Sequence, residues 1–576
     1  MGDRVPVAVP STERAALARL EDLGDYLDHH REVVAVPEST TTGIDRAGEG
    51  AALLRSNLVV ASGTALSRIT GLLRVMVFGY VIGKGALADV YLIGNETPNI
   101  VYELLIGGVL SATLVPLFTE FLERDDERAT NVVITVSLTA MAVLTIIAVI
   151  AAPLIFGLYT VNTHEGADSA LIQRVGTLLT RVFLLQIFFY GAAGLANAVL
   201  NSRRRFLAAS WSPVLANVVV IVTLLSLPDR TWQLADVEVD DRLRWTLAIG
   251  STAGIAAMAL VLVPALRSAG LRFRPSFHPG HPAIRRLLTM SLWTFGYVLC
   301  NQAVIIVVRN LSEPGSGGSA AYFQAFTFFV LPHGLLAMSI ATTFVPEMAR
   351  AVGRRDRTAF SATSSLGVRM IAMLTVPAAI VLFVLRRPLI GLLLQHGEYT
   401  ALDALVTSRA LAGFALGLPA FSVFLFTLRG FYAHQDTRTP FVVNAGQCAL
   451  NVVFALALYG RWGVLGLGAA FALSYALAAL WALSVLAAKV RGYPSRRILE
   501  SIARVLLAGA LAGEAGWLVA RHVGDNAATD ALLRILAGTA TILVVYVVVL
   551  FVLAAPELAS LGRLRRGRVR HPTPTS

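Results

Sequence analysis

The sequence predicts an all-α polytopic membrane protein with about fourteen transmembrane helices. Three observations predict it. Charged residues make up only 15% of the 576 residues while 56% are hydrophobic, and the mean hydropathy is +0.68. A water-soluble domain carries roughly 25% charged residues, so this chain lacks the polar surface that water demands and lipid is its solvent. The apolar residues gather in runs near the ~20 residues that a helix needs to cross a ~30 Å bilayer core. The basic residues behind the net charge of +12 lie in short segments between those runs. That is the pattern of membrane topology, not of a nucleic-acid surface.

Residues 1–55 are polar, with modest helical periodicity over 11–30 and a remainder rich in Gly, Thr and Glu. They contain no apolar segment followed by a small-residue cleavage site, so they read as a largely disordered cytoplasmic tail, not a secretory signal. Helices are expected near 57–81, 88–118, 130–158, 171–200, 212–228, 243–267, 284–309, 320–345, 363–385, 402–430, 440–460, 464–487, 501–522 and 530–555. The first is amphipathic. The ninth run is interrupted by Arg386, Arg387 and Pro388. With the N-terminus in the cytoplasm, about 31 Lys and Arg fall inside against about 8 outside, as the positive-inside rule requires. The inner clusters are Arg203 to Arg205, Arg267 to Arg286, Arg350 to Arg357, Lys489 to Arg497 and Arg563 to Arg570, while the outer loop Asp229 to Asp241 is acid-rich. The even count returns the C-terminus, a basic tail over 558–576, to the cytoplasm. The expected localisation is a bacterial plasma membrane.

An internal repeat organises these helices. Ser111 to Pro116 (SATLVP) resembles Ala341 to Pro346 (ATTFVP), and Pro213 with Asn217 resembles Pro440 with Asn444. Two matches at one offset of about 230 residues predict duplicated six-helix lobes, 56–267 and 268–490. An even number of helices per lobe makes the repeats parallel, related by a pseudo-two-fold axis along the membrane normal. Residues 491–557 hold two further helices outside the repeat. A site between two such halves is the architecture of a transporter.

Charges inside the membrane are costly and mark function. The first helix carries Ser67, Arg68, Thr70 and Arg74, of which Ser67, Thr70 and Arg74 share a face. Guanidinium groups there suit an anionic head group because their donors match phosphate bidentately; the alternative is that both arginines snorkel to lipid phosphates. The second helix carries Asp89, Asn95, Glu96, Asn99 and Glu103, largely one polar stripe on a helix kinked by Pro98. These acids are expected to pair with Arg68 and Arg74 in an empty cavity, or to form fixed ion pairs between helices. Arg174, Arg309 and Arg409 fall near the expected outer interface, where snorkelling is the simplest reading. The cluster Tyr322, Phe323, Phe326, Phe328 and Phe329 reads as packing, and His333 as a satisfied interior histidine.

No P-loop, dinucleotide fingerprint or nucleophile elbow is present, so the chain reads as a transporter, not an enzyme. Cys300 and Cys448 both lie in apolar runs and read as small buried hydrophobes. No metal-ligand spacing and no cofactor is expected. Transport would then be passive, or driven by the membrane potential or by the gradient of a coupling ion that the sequence does not identify.

Four stretches together resemble the MurJ (MviN) lipid II flippases of the multidrug/oligosaccharidyl-lipid/polysaccharide exporter superfamily. They are Ser67-Arg68-Ile-Thr-Gly71-Leu-Leu-Arg74 with Asp89, Pro98-Asn99, Gly108 and Val115-Pro116; Asn197 to Asn201 with Arg205-Phe206 and Pro213 to Asn217; Leu331 to Gly334 through Val345-Pro346; and Arg429-Gly-Phe-Tyr432 with Asp436-Thr-Arg438-Thr-Pro440. The resemblance covers roughly residues 55–490 in order and spacing, and the form Pro-Asn-Ile-Val-Tyr-Glu is similar to the actinobacterial branch. It implies transfer of lipid II, the undecaprenyl-pyrophosphate-linked peptidoglycan precursor, from the inner to the outer leaflet by alternating access. It also implies a lateral groove for the lipid tail at the last two helices. Arg68 and Arg74 match the family's first-helix pair and Asp89 a family aspartate, while Arg205, Asp436 and Arg438 belong to cytoplasmic gate and loop motifs. The family's second-helix arginine is replaced here by Glu103, and Thr327 stands near the place of its eighth-helix arginine.

The expected cargo site is therefore Ser67, Arg68, Arg74, Asp89, Asn99 and Glu103, with the two arginines holding the pyrophosphate and Glu103 releasing them. Unchanged transport and growth in Glu103→Gln would remove that last role. Expected partners are the lipid-linked precursor, membrane lipids and cell-wall synthesis proteins, with no nucleic acid. Two other readings stay open. One is an exporter of another polyprenyl-linked glycan, or of drugs by cation antiport. The other is a scaffold for cell-wall enzymes, which would not need intramembrane arginines.

Overall fold

The computed structural model describes residues 43–102, 114–203, 205–526 and 528–553, and every regular element among them is helical. Eleven helices are long and apolar enough to cross a membrane, or twelve when the bent pair Ala401–Ala415 and Leu418–Ala433 counts as one span. Length and composition thus fall short of fourteen at two expected places. Residues 86–123 are described as Ala86–Tyr102 and Val115–Glu123, with 103–113 outside the described residues. In Pro282–Leu311 the apolar part is only Phe295–Leu311, because Arg285 and Arg286 occupy the first turns.

The described part of the first compact unit, Met1–Val59, is the start of the helix Gly43–Ile82. That helix begins well before the expected 57. Its opening run of Ala, Leu, Glu and Arg supplies good helix formers, so the segment after residue 43 is not a disordered tail. The periodic stretch 11–30 and the basic tail 558–576 lie outside the described residues. The second unit, Val60–Ser576, holds everything that follows.

Side-chain caps set where several helices begin. Asp126, Asp168, Asp240 and Asp356 each accept a backbone N–H three residues on, at 2.8–3.0 Å. Thr400 and Asp403 form a reciprocal capping box. Asp126 and Asp356 occupy matching places in the repeat, each preceded by a positive-φ residue, Asp125 at 54° and Arg355 at 57°. Matching breaks follow. Glu127–Ile150 resumes as Ala152–Tyr159 at Pro153, and Arg357–Val384 resumes as Arg386–Leu394 at Pro388. Proline is tolerated in the first turn of the resumed helix, so the charges in the ninth run mark a break and not the end of the segment.

The repeated asparagines do the same work in each half. Asn217 donates to the Ser67 carbonyl at 3.2 Å and to Thr70 Oγ1 at 3.1 Å. Asn444 donates to the Tyr297 carbonyl at 3.3 Å. Each pins the first helix of its own half, where lipid offers no competing donor.

Buried side chains gather mainly within each half, with some apolar packing across the seam, as of Ala320 with the first-half core. Clusters built on Phe78 to Ala248, joined by Ala320, and on Leu114 to Val199, joined by Ala283 and Ile284, fill the first; one large cluster from Val304 to Ile498 fills the second. The aromatic cluster belongs to this second core: Tyr322 and Phe329 pack on Phe414 with centroids at 4.8 and 5.4 Å, and Phe326 packs on Phe471 at 5.8 Å. Glycines let helices approach within it. A Cβ at Gly413 would lie 2.5 Å from the Leu465 carbonyl oxygen, and one at Gly468 would lie 2.7 Å from that of Ala410. Large apolar side chains elsewhere face outward, among them Ile150 and Phe551, as lipid allows. The C-terminal helices Ser495–Ala520 and Ala528–Val552 pack on each other and on Arg357–Val384 through Val376, Ala508 and Ile542.

Candidate functional site

Turns carrying the basic clusters define one end of the helices. At the opposite end, hydrogen bonds join residues of 60–267 to residues of 282–490. Asn162 donates its backbone N–H to Asn310 Oδ1 at 3.0 Å, and Glu398 donates its own to the Tyr80 carbonyl at 3.1 Å. His164 meets Glu313 at 3.0 Å, and Lys84 pairs with Asp403 at 3.5 Å; within the second half, Tyr459 donates to the same Glu313 at 3.0 Å.

Asp89 is the most deeply placed of these ties, with no exposed surface. One carboxylate oxygen accepts from the Gly315 and Gly317 amides at 2.9 and 2.8 Å, and the other accepts from Ala320 at 2.6 Å. It thereby caps, from the first half, the start of a second-half helix, Gly318–Pro332. The turn before that helix needs Gly315 and Gly317, whose φ values are 102° and 77°.

Beneath this closed end lies a narrow, partly open cavity between the halves, lined by Arg74, Tyr91, Asn95, Glu96, Phe323 and Thr327 among others. Arg74 makes no ion pair among the described residues. Arg68 is exposed and lies outside this lining, with its guanidinium against Gly334: a Cβ there would sit 3.4 Å from Arg68 Cζ. Ser67 contributes its carbonyl to Asn217 and is half-buried. Asn99 is exposed, and Glu103 lies outside the described residues.

Of the two readings of the second-helix acids, the ion pair between helices is the one found for Glu96, and the expectation for Arg309 changes. Glu96 does not pair with Arg68 or Arg74 but with Arg309, at 2.7 Å. Arg309, expected to snorkel to the interface, is wholly buried. Its side chain folds inward, stacks over Phe323 with its Cζ 3.9 Å from the ring centroid, and finds its counter-ion in the other half. Arg174, by contrast, is exposed and pairs with Glu238 at 2.8 Å. His333 is buried, bonded to Ser422 Oγ at 2.9 Å and packed on Phe421. Cys448 is buried as expected, but among amides: Asn301 and Gln447 lie within 3.8 and 3.5 Å of its sulfur. No group of three or more metal-ligating side chains occurs among the described residues.

At the basic end, Arg205 and Arg438 are exposed beside turns. Asp436 is pinned: it pairs with Lys489 and accepts from Thr439 N and Oγ1 at 3.0 and 2.6 Å. Burial pushes its pKa up from 3.8, but the hydrogen bonds from Lys489 and Thr439 outweigh this and hold it at about 2. A carboxylate depressed in this way contributes stability that is complete above about pH 4 and is lost as pH falls toward 2. Asp436→Asn is expected to lower the thermal midpoint of the purified protein by about 1–2 °C at pH 7, a difference that shrinks below pH 4.

The comparisons with known proteins agree with one another. The family described as "Lipid II flippase MurJ" matches residues 78–538. The chain is 31% identical over 490 residues to a "Probable lipid II flippase MurJ" of Haemophilus influenzae, covering 82% of this chain and 94% of that relative. It is 27% identical over 433 residues to "Lipid II flippase MurJ" of Burkholderia cenocepacia, covering 72% and 81%. A solved lipid II flippase MurJ in an inward closed conformation is similar with a TM-score of 0.70 at 20% identity, covering 86% of this chain and 100% of that one. An inward-facing multidrug resistance MATE family transporter is similar with a TM-score of 0.59 at 14% identity, covering 75% and 98%. At these identities the two structural likenesses speak of the fold alone.

Proposed function

The chain belongs to the lipid II flippase MurJ family, and from that premise we propose that it carries lipid II from the inner to the outer leaflet of the bacterial inner membrane by alternating access. One observation supports this above the others: Arg74 lines a cavity between two halves that are tied together beyond it, at the end away from the basic clusters. By the positive-inside rule the basic end is cytoplasmic, with both termini there, and the tied end is the outer gate. The cavity then awaits cargo from the cytoplasmic leaflet.

Arg74 binds the pyrophosphate, and Arg68, on the open side against Gly334, meets it on the way in. The polyprenyl tail stays in lipid, which requires no catalytic group, and the chain acts as a transporter with no bond made or broken. An inside-negative potential favours outward movement of an anionic head group by about 2.3 kcal/mol per charge per 100 mV. The test is complementation. A bacterium depleted of its own lipid II flippase should grow when this chain is expressed in its membrane. Failure of a well-expressed wild type in a closely related host would refute the reading.

A further inference from the structure

Glu96 and Arg309 take no part in the cycle described so far. Their ion pair crosses between the halves beneath the outer gate, at 2.7 Å. The two ends differ in surroundings. Arg309 has no exposed surface; it stacks on Phe323 at 3.9 Å, faces Tyr159 at 5.7 Å, and its Nε has no acceptor among the described residues. The Glu96 side chain is 39% exposed and lines the same cavity as Arg74 and Phe323.

This asymmetry dictates how the tie can be undone. A buried guanidinium left without its anion is strongly destabilised, so the pair is not opened by simple separation. It is opened by substitution of one anion for another. Glu96 can rotate into the cavity and hydrate. A phosphate-bearing group resting on Arg74 brings like charge toward Glu96 and offers Arg309 several oxygens matched to its fork. The orphaned Nε is a donor already in place for such a ligand. Arg309 also lies just before Ser312 and the 315–317 turn that Asp89 holds, so its movement bears directly on the gate.

We propose that Glu96 and Arg309 form an exchange site. Cargo phosphates, held first by Arg74, take Arg309 from Glu96 and so release the tie between the halves that keeps the outer gate shut. Arg309 is thereby a second-stage ligand of the head group, masked until cargo arrives. This rests on the reading that the cargo is a lipid-linked pyrophosphate.

The test measures the outer gate directly. Spin labels are placed at the exposed positions Glu165→Cys and Arg461→Cys, one in each half, in the full chain with Cys300→Ala and Cys448→Ala, in lipid nanodiscs. Distances are read by double electron–electron resonance as lipid II is added, and binding of radiolabelled lipid II is measured on the same samples. The unsubstituted pair should open on lipid II. Arg309→Met, which fills the space beside Phe323 without charge, removes both the tie and the second phosphate ligand; it should populate the open distance without cargo and bind lipid II at least tenfold more weakly. Glu96→Gln, which leaves Arg309 unpaired, should populate the open distance without cargo. If both variants are closed when empty and open at the same lipid II concentration as the unsubstituted pair, the exchange is overturned while the transport reading stands. If the unsubstituted pair binds no lipid II, the transport reading fails and the exchange with it.

Discussion

Asp89→Ala is expected to abolish support of growth in the complementation assay while the protein still reaches the membrane. The carboxylate is wholly buried and serves three backbone amides, those of Gly315, Gly317 and Ala320. Alanine leaves all three without an acceptor, at a cost of roughly 1–3 kcal/mol each. The total, roughly 3–9 kcal/mol, falls on the closed outer gate alone, because only there does the first half reach the start of Gly318–Pro332. A shift of that size removes the inward-open state from the cycle. Asp89→Asn should fare little better, since an amide keeps one acceptor oxygen and turns a donor toward the remaining N–H groups. Cysteine accessibility at the outer end should rise in both variants. Normal growth with an outer end still closed would show that the three amide bonds do not hold the gate.

Arg74→Ala is expected to lower transport by about a hundredfold or more and to fail in complementation. A bidentate guanidinium–phosphate contact contributes on the order of 3 kcal/mol or more, with hydrogen bonds to charged groups at roughly 1.5–3 kcal/mol each. Arg74 lines the cavity beside Glu96, so its loss also leaves that wall with less positive charge. Arg74→Lys keeps the charge but not the fork and should rescue partially. Arg68→Ala should be milder, because Arg68 lies outside the cavity lining and is exposed. Full rescue by Arg74→Ala at wild-type levels would leave the cargo unchanged but move its site elsewhere.

What could be read in advance divides along physical lines. Helices were legible because hydropathy is a property of each residue and its neighbours in sequence. The asparagine pins were legible as a pattern, Pro213 with Asn217 and Pro440 with Asn444, though not their partners. Asp89 stood out as a charge inside the membrane, but its partners are backbone amides of a glycine-rich turn and carry no side-chain signature. Arg309 reads as a snorkelling arginine from its place near a helix end, but it is held by a carboxylate of the other half. Its counter-ion Glu96 lies 213 residues away in sequence, and nothing local to either residue announces the pair. The start of the first helix at Gly43 was hidden by the polar residues of its opening turns.

The outer seam carries many hydrogen bonds and ion pairs beside its apolar contacts. Water can replace such bonds nearly one for one, so each is worth only about 0.5–1.5 kcal/mol net. Many of them together give the closed arrangement a definite geometry without making it a deep energetic trap. An oily seam of equal extent would have to expose its surface to water at each opening, at ~25 cal/mol per Å². A wettable seam instead parts and reseals cheaply on the side that faces water, while the oily surfaces stay turned toward lipid throughout. Specificity of fit and ease of separation, which oppose each other in a dry interface, are thus reconciled in a wet one.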